Sequence, residues 1–175
     1  MQERCKIGVV IGNANSPHAV NIMKGIDQAS KECDVQLMYF MNVSSPYTAQ
    51  LYPPDKSIGW DYQKSAIYDY ARYIKADVLI MTYGMMSIFM KSDYGKQYLE
   101  YFRNVPCVLI NEQTDRPNWT SIIVDNYNGM YELVEHLVRD HGYNNFAFLA
   151  GPPGNTDACQ RKRAFLDVMK KYDLP

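Results

Sequence analysis

The sequence predicts an α/β fold: an open, mostly parallel sheet with helices on both faces. Three observations predict it. Short, nearly continuous apolar runs recur along the chain, as strands read when both their faces are covered. Segments with apolar residues at intervals of three and four alternate with those runs. Polar turn formers cluster directly after several runs, where strand-to-helix loops belong.

Lys6–Gly12 is the first apolar run and the first strand. Asn13-Ala14-Asn15 follows as a polar loop, and Ser16-Pro17 offers an N-cap with proline at the first helical position. Val20, Met23, Ile26, Ala29 and Cys33 then form one stripe of a helix, and Gln36–Met41 is the second strand. Asn42 to Gly59 holds Pro46, Pro53 and Pro54 among serines and reads as a long loop. A helix over about Asp61–Lys75 turns Ala66, Ile67, Tyr70, Ala71 and Ile74 inward. Asp77–Met81 is the third strand; Tyr94, Tyr98, Tyr101 and Phe102 mark a helix; Pro106–Ile110 and Ser121–Val124 are the fourth and fifth strands. A helix starting at Asn126 or Asn128 carries Met130, Leu133, Val134, Leu137 and Val138 and stops at Gly142. Phe146–Ala150 reads as a sixth strand. The turn Gly151-Pro152-Pro153-Gly154 then leads into a last helix with Ala158, Phe165, Val168 and Tyr172.

At 175 residues the chain suits one ordinary domain. Its 18 basic and 19 acidic residues leave a net charge of −1, which gives no footprint for nonspecific binding to nucleic acid or to an anionic membrane. The least polar stretch, Val78–Met90, is interrupted by Thr82, Gly84 and Ser87 and falls short of the roughly 18 residues of a membrane span. Ile7–Ile11 is too short for a secretory signal, so a soluble, cytoplasmic protein is expected. Cys5, Cys33, Cys107 and Cys159 are scattered, with neither a CxxC pair nor histidines at zinc-finger spacing; each is expected as a small buried hydrophobe.

In an open parallel sheet, groups at the carboxyl ends of the strands converge on a crevice. This chain places there Asn13, Asn15, Ser16 and His18, then Thr82 and Tyr83, then Asn111 and Glu112, then Asp125, Asn126 and Asn128. Amides, hydroxyls and carboxylates of this kind can pair with donors and acceptors of a polyol or nucleoside, and Tyr83 could stack on a sugar ring. The same residue types also form turns and cap helices in any βα loop. No glycine-rich dinucleotide or phosphate loop, nucleophile elbow or HExxH motif occurs. The prolines of Gly151–Gly154 remove the N–H donors that a phosphate loop needs. His136 and His141 read as surface or capping residues. Tyr62, Tyr68, Tyr70 and Tyr73, among 15 tyrosines, suggest either a sticky helix face or half-buried packing.

The order of motifs resembles the effector-binding core of the lac-repressor/galactose-repressor (LacI/GalR) family, a periplasmic-binding-protein-like fold of type I. The matching pieces are Ile7–Val10 with its Asn15-Ser16-Pro17 loop, Val105–Ile110, Val124–Gly129, His136–Tyr143, Phe146–Pro152 and Arg161–Phe165. The resemblance implies a non-catalytic sensing domain whose two lobes close on a small polar ligand, commonly a sugar or nucleobase derivative, and which works as a homodimer. Carried over position by position, Asn15, Ser16, His18, Tyr83 and Asn128 face the ligand, Arg161 matches a ligand-contacting arginine, and Asp157 stands where many members have serine. No cofactor or metal is implied. Residues 1–142 correspond to the N-terminal lobe and 143–175 to the beginning of the second, so the chain is expected to be a piece of a longer product.

On this reading DNA is contacted only through a domain outside this chain. The segments at Asp61–Tyr70 and Thr82–Gly84 also resemble sensor domains followed by a diguanylate cyclase or kinase. Two readings from other classes stand beside these: a small α/β enzyme using His18 and Asp125 as acid and base, and an interaction module built on the tyrosine-rich helix.

Overall fold

The structure, a computed structural model, describes residues 4–43, 62–86, 92–151 and 155–175. The expected long loop falls almost wholly outside the described residues, as do Asp61, the side chain of Tyr62 and the Pro152–Gly154 part of the turn. The chain divides into two compact units, Met1–Ile123 and Val124–Pro175. The lobe boundary at Tyr143 is a different division and rests on the resemblance alone.

The first unit holds one sheet. Its strands are β1 (Lys6–Ile11), β2 (Gln36–Met41), β3 (Val78–Met81), β4 (Cys107–Ile110) and β5 (Trp119–Ile122), in spatial order β2-β1-β3-β4-β5. Every neighbouring pair is parallel, with Val9 opposite Tyr39 on one side and Ile80 on the other. Side chains alternate across the pleat, and each face finds its own cover. Val9 and Ile11 pack with Ala19, Ile22, Met23 and Ile26 of α1 (Pro17–Cys33). Val10, Leu79, Met81 and Leu109 pack on the opposite face against Tyr68, Ala71, Tyr98 and Phe102. These come from α2 (Tyr62–Asp69), the 3₁₀ turn Tyr70–Tyr73 that continues it, and α4 (Ser92–Tyr101) with the turn that follows it. Helices thus cover both faces of a parallel sheet, as the sequence predicts.

Several local expectations are corrected. Tyr70 is 63% exposed, whereas Tyr68 is fully buried. The chain tightens from an α-helix to a 3₁₀ turn at Tyr70, which shifts the angular step per residue and rotates the inward stripe away from that position. A four-residue helix α3 (Tyr83–Met86) follows β3; it is too short to leave a periodic signal. β5 lies two residues earlier than Ser121–Val124, because Trp119 is buried there and its Nε1–H donates to the Val105 carbonyl at 3.0 Å. Of the four cysteines only Cys107, on a central strand, is buried; Cys5, Cys33 and Cys159 are exposed.

The second unit is a helix pair, α5 (Asn126–Arg139) and α6 (Thr156–Lys171). Val134, Val168 and Met169 form its core, with Met130, Tyr131, Val138 and Phe165 packed around them. Phe146–Ala150 is not a strand. An apolar run becomes a strand only when another strand takes up its backbone hydrogen bonds, and no ladder reaches this segment among the described residues. Phe148 instead stacks on Phe165 at a centroid distance of 4.7 Å, and Leu149 is 99% exposed. Among the described residues no helix is long and apolar enough to cross a membrane.

Candidate functional site

In the first unit the strand order places β1 between β2 and β3, so the chain's connections part to opposite sides at the β1/β3 boundary. The loops at the carboxyl ends of these strands are tied together by main-chain and side-chain hydrogen bonds. Asn42, just after β2, accepts from Asn13 N through its Oδ1 at 2.7 Å and from Ala14 N through its carbonyl at 2.8 Å. Thr82, just after β3, accepts from Gly12 N through Oγ1 at 3.1 Å, while its own N–H donates to the Val10 carbonyl at 3.0 Å. Thr82 and Asn42 are buried. Asn13 and Asn111 both adopt left-handed backbone, with φ of 51° and 61°, which asparagine tolerates better than most residues. Each therefore turns the chain sharply at the end of a strand.

His18 stands exposed on the first turn of α1 and meets Asn111 after β4: Asn111 Nδ2 donates to His18 Nε2 at 2.9 Å. The carboxyl ends of β1 and β4 are joined by these two polar side chains.

The other expected site residues of this unit are placed as follows. Ser16 is the N-cap of α1, its Oγ accepting from Ala19 N at 3.2 Å. Asn15 is exposed in the turn before it. Tyr83 opens α3, partly buried, and packs against the core on the α2 and α4 face. A Cβ on Gly95 of α4 would lie 2.5 Å from the Tyr83 hydroxyl, so a bare glycine makes room for that ring. Burial pushes the Tyr83 phenol up, and the negative charge of Glu112 adds to the shift.

In the second unit, Asp125 caps α5. Its Oδ1 accepts from Asn128 N at 3.0 Å and its Oδ2 from Asn128 Nδ2 at 2.7 Å. Those two bonds hold the Asp125 carboxyl below the ordinary range. Asn128 is thereby part of a capping arrangement that uses both carboxylate oxygens of Asp125. Arg161 Nη1 donates to Oδ1 of the buried Asn126 at 2.8 Å, tying α6 to the first residue of α5. Asp157 lies half-buried in the first turn of α6, where a negative charge suits the helix N-terminus.

The pairing roles of Asn42 and Asn126 went unread in the sequence. Their only signal was a position one residue after a strand or at a helix start, which many asparagines share. Among the described residues no group of three or more His, Cys, Asp or Glu side chains is placed to hold a metal ion.

No protein-family profile matches the chain. It is 25% identical over 117 residues to the probable HTH-type transcriptional repressor ExuR of Bacillus subtilis, covering 61% of this chain and 35% of that protein. It is 28% identical over 92 residues to the HTH-type transcriptional repressor PurR of Photorhabdus laumondii, covering 50% of this chain and 27% of that protein. The match thus spans about a quarter to a third of the length of these relatives. Among solved structures, the lac repressor dimer bound to operator and the anti-inducer ONPF superposes with a TM-score of 0.69 at 18% identity, over 99% of this chain and 54% of that one. A putative ribose operon repressor from Burkholderia thailandensis superposes with a TM-score of 0.68 at 17% identity, over 97% of this chain and 56% of that one. The fold is that seen in solved LacI-family regulators, and the sequence is similar to HTH-type transcriptional repressors.

Proposed function

We propose that this chain is the sensing core of a transcriptional regulator and that it binds a small polar metabolite of the sugar class without transforming it. The observation that carries this reading is the His18–Asn111 contact, where the carboxyl ends of β1 and β4 present a donor–acceptor pair beside Asn15 and Ser16. Such groups can exchange their mutual hydrogen bond for bonds to ring hydroxyls at little net cost. Tyr83, Asn128, Asp157 and Arg161 join this set through the family resemblance. The similarity to repressors and to a putative ribose operon repressor supports both the regulatory role and the ligand class. A homodimer, DNA contact through a segment outside this chain and a cytoplasmic setting follow from the same reading.

Isothermal titration against a panel of pentoses, hexoses and nucleosides tests it. One sugar should bind with a Kd in the micromolar range or tighter, and His18→Ala and Asn111→Ala should each weaken it by about tenfold or more. Binding that both substitutions leave unchanged, with folding verified by circular dichroism, overturns the site. Turnover of any compound in the panel overturns the non-catalytic role.

A further inference from the structure

We propose that His136 and His141 form a two-imidazole binding site for a divalent transition metal such as Cu²⁺, Ni²⁺ or Zn²⁺, on the second unit and independent of the sensing role. The backbone brings them together. Helix α5 is ended by Gly142 at φ +68°, with Gly142 N donating to the Val138 carbonyl at 3.1 Å and Tyr143 N to the Leu137 carbonyl at 3.2 Å. This reversal folds the residues after α5 back over its last turn. His141 consequently faces His136, and their Nε2 atoms lie 3.0 Å apart. Two imidazoles on one metal, each at about 2.0–2.1 Å with a near-tetrahedral angle, hold their nitrogens roughly 3.3 Å apart. To take a metal the two nitrogens separate by about 0.3 Å and each ring turns so that its lone pair points at the ion instead of at the other ring.

Both rings are already oriented. His136 Nδ1 meets Asp140 Oδ2 at 2.7 Å, and a carboxylate there keeps the proton on Nδ1 and leaves the Nε2 lone pair outward. Asp140 is fixed in turn by Arg139, whose Nε–H donates to its Oδ1 at 2.9 Å. The His141 ring stacks on Tyr143, 5.7 Å between centroids and 14° between planes. This is the carboxylate–histidine–metal order of metal sites, with two protein nitrogens and the remaining positions left to water. For His141 to ligate through Nε2, its ring proton moves to Nδ1. Imidazole nitrogen favours Cu²⁺, Ni²⁺ and Zn²⁺ over Mg²⁺ and Ca²⁺.

The test is titration of the whole chain with each metal chloride, carrying Cys5→Ser, Cys33→Ser and Cys159→Ser so that exposed thiolates do not compete. Calorimetry should give one Cu²⁺ or Ni²⁺ per chain, and the Cu²⁺ electron paramagnetic resonance spectrum should show coupling to two imidazole nitrogens. His136→Gln and His141→Gln should each weaken binding at least tenfold, and Asp140→Asn by about tenfold through loss of ring orientation. All three positions are exposed, so circular dichroism should match the parent. No stoichiometric binding up to millimolar metal, or binding indifferent to both histidine substitutions, overturns the site. Spectral coupling to one nitrogen only also overturns it.

Discussion

Gly12 and the backbone of Met85 approach so closely that a Cβ at residue 12 would lie 2.6 Å from the Met85 carbonyl carbon and 2.8 Å from Met86 N. The obstacle is main chain, which cannot swing aside as a side chain does. The same loop is locked by the Gly12 N–H on Thr82 Oγ1 at 3.1 Å. Gly12→Ala should therefore destabilise the protein by about 1–3 kcal/mol, read from urea unfolding followed by circular dichroism. Wild-type stability in that variant would mean that the β1 loop and α3 are not in contact.

Tyr68 and Tyr98 make opposite predictions from one hydrogen bond. The Tyr98 hydroxyl donates to the Tyr68 carbonyl at 2.9 Å, so Tyr98→Phe should cost about 1 kcal/mol. The Tyr68 hydroxyl is buried with no hydrogen-bond partner among the described residues, so Tyr68→Phe should be neutral or stabilising by up to about 1 kcal/mol. Thermal melts of the two variants compared with wild type check the pair.

The contact between Arg161 and Asn126 can be isolated by a double-mutant cycle. Asn126→Ala and Arg161→Ala should each destabilise, and the double variant should lose about 1 kcal/mol less than their sum. Strict additivity in chemical denaturation would show that the two side chains do not support each other.

Asp140 sets a pH window. The Arg139 guanidinium, followed by His136, holds its carboxyl down at about 2, below the model-peptide value of 3.8. A lowered folded value means that the charged form is favoured by folding. The contribution is complete above about pH 4 and is lost as pH falls toward about 2. Asp140→Asn should flatten the dependence of melting temperature on pH across that interval. Melting curves of both proteins over this range decide it.

Cysteine chemistry separates buried from exposed thiols. Burial pushes the Cys107 thiol up to about 12, while Cys5, Cys33 and Cys159 are exposed. Iodoacetamide at about pH 8 should alkylate those three and spare Cys107 in the native protein, as read by peptide mass spectrometry. Native labelling of Cys107 would contradict its place on the interior strand β4.

The parallel sheet, its helices on both faces and the Ser16 cap were determined by sequence alone, because apolar runs, three-four stripes and N-cap residues act locally and need no knowledge of what they meet. So were the polar strand ends at Asn15, Ser16 and His18, since a loop after a buried strand must satisfy its backbone with nearby donors and acceptors. What only the tertiary structure decided is non-local. Phe146–Ala150 has the composition of a strand, yet strand formation depends on a partner far away in the chain, and composition carries no record of that partner. Tyr68 and Tyr70 are two residues apart and identical in type, and the tightening of the helix between them decided which one enters the core. The pairings His18–Asn111, Asn126–Arg161 and His136–His141 depend on where loops bring side chains, to within an ångström, and periodicity cannot supply distances of that kind.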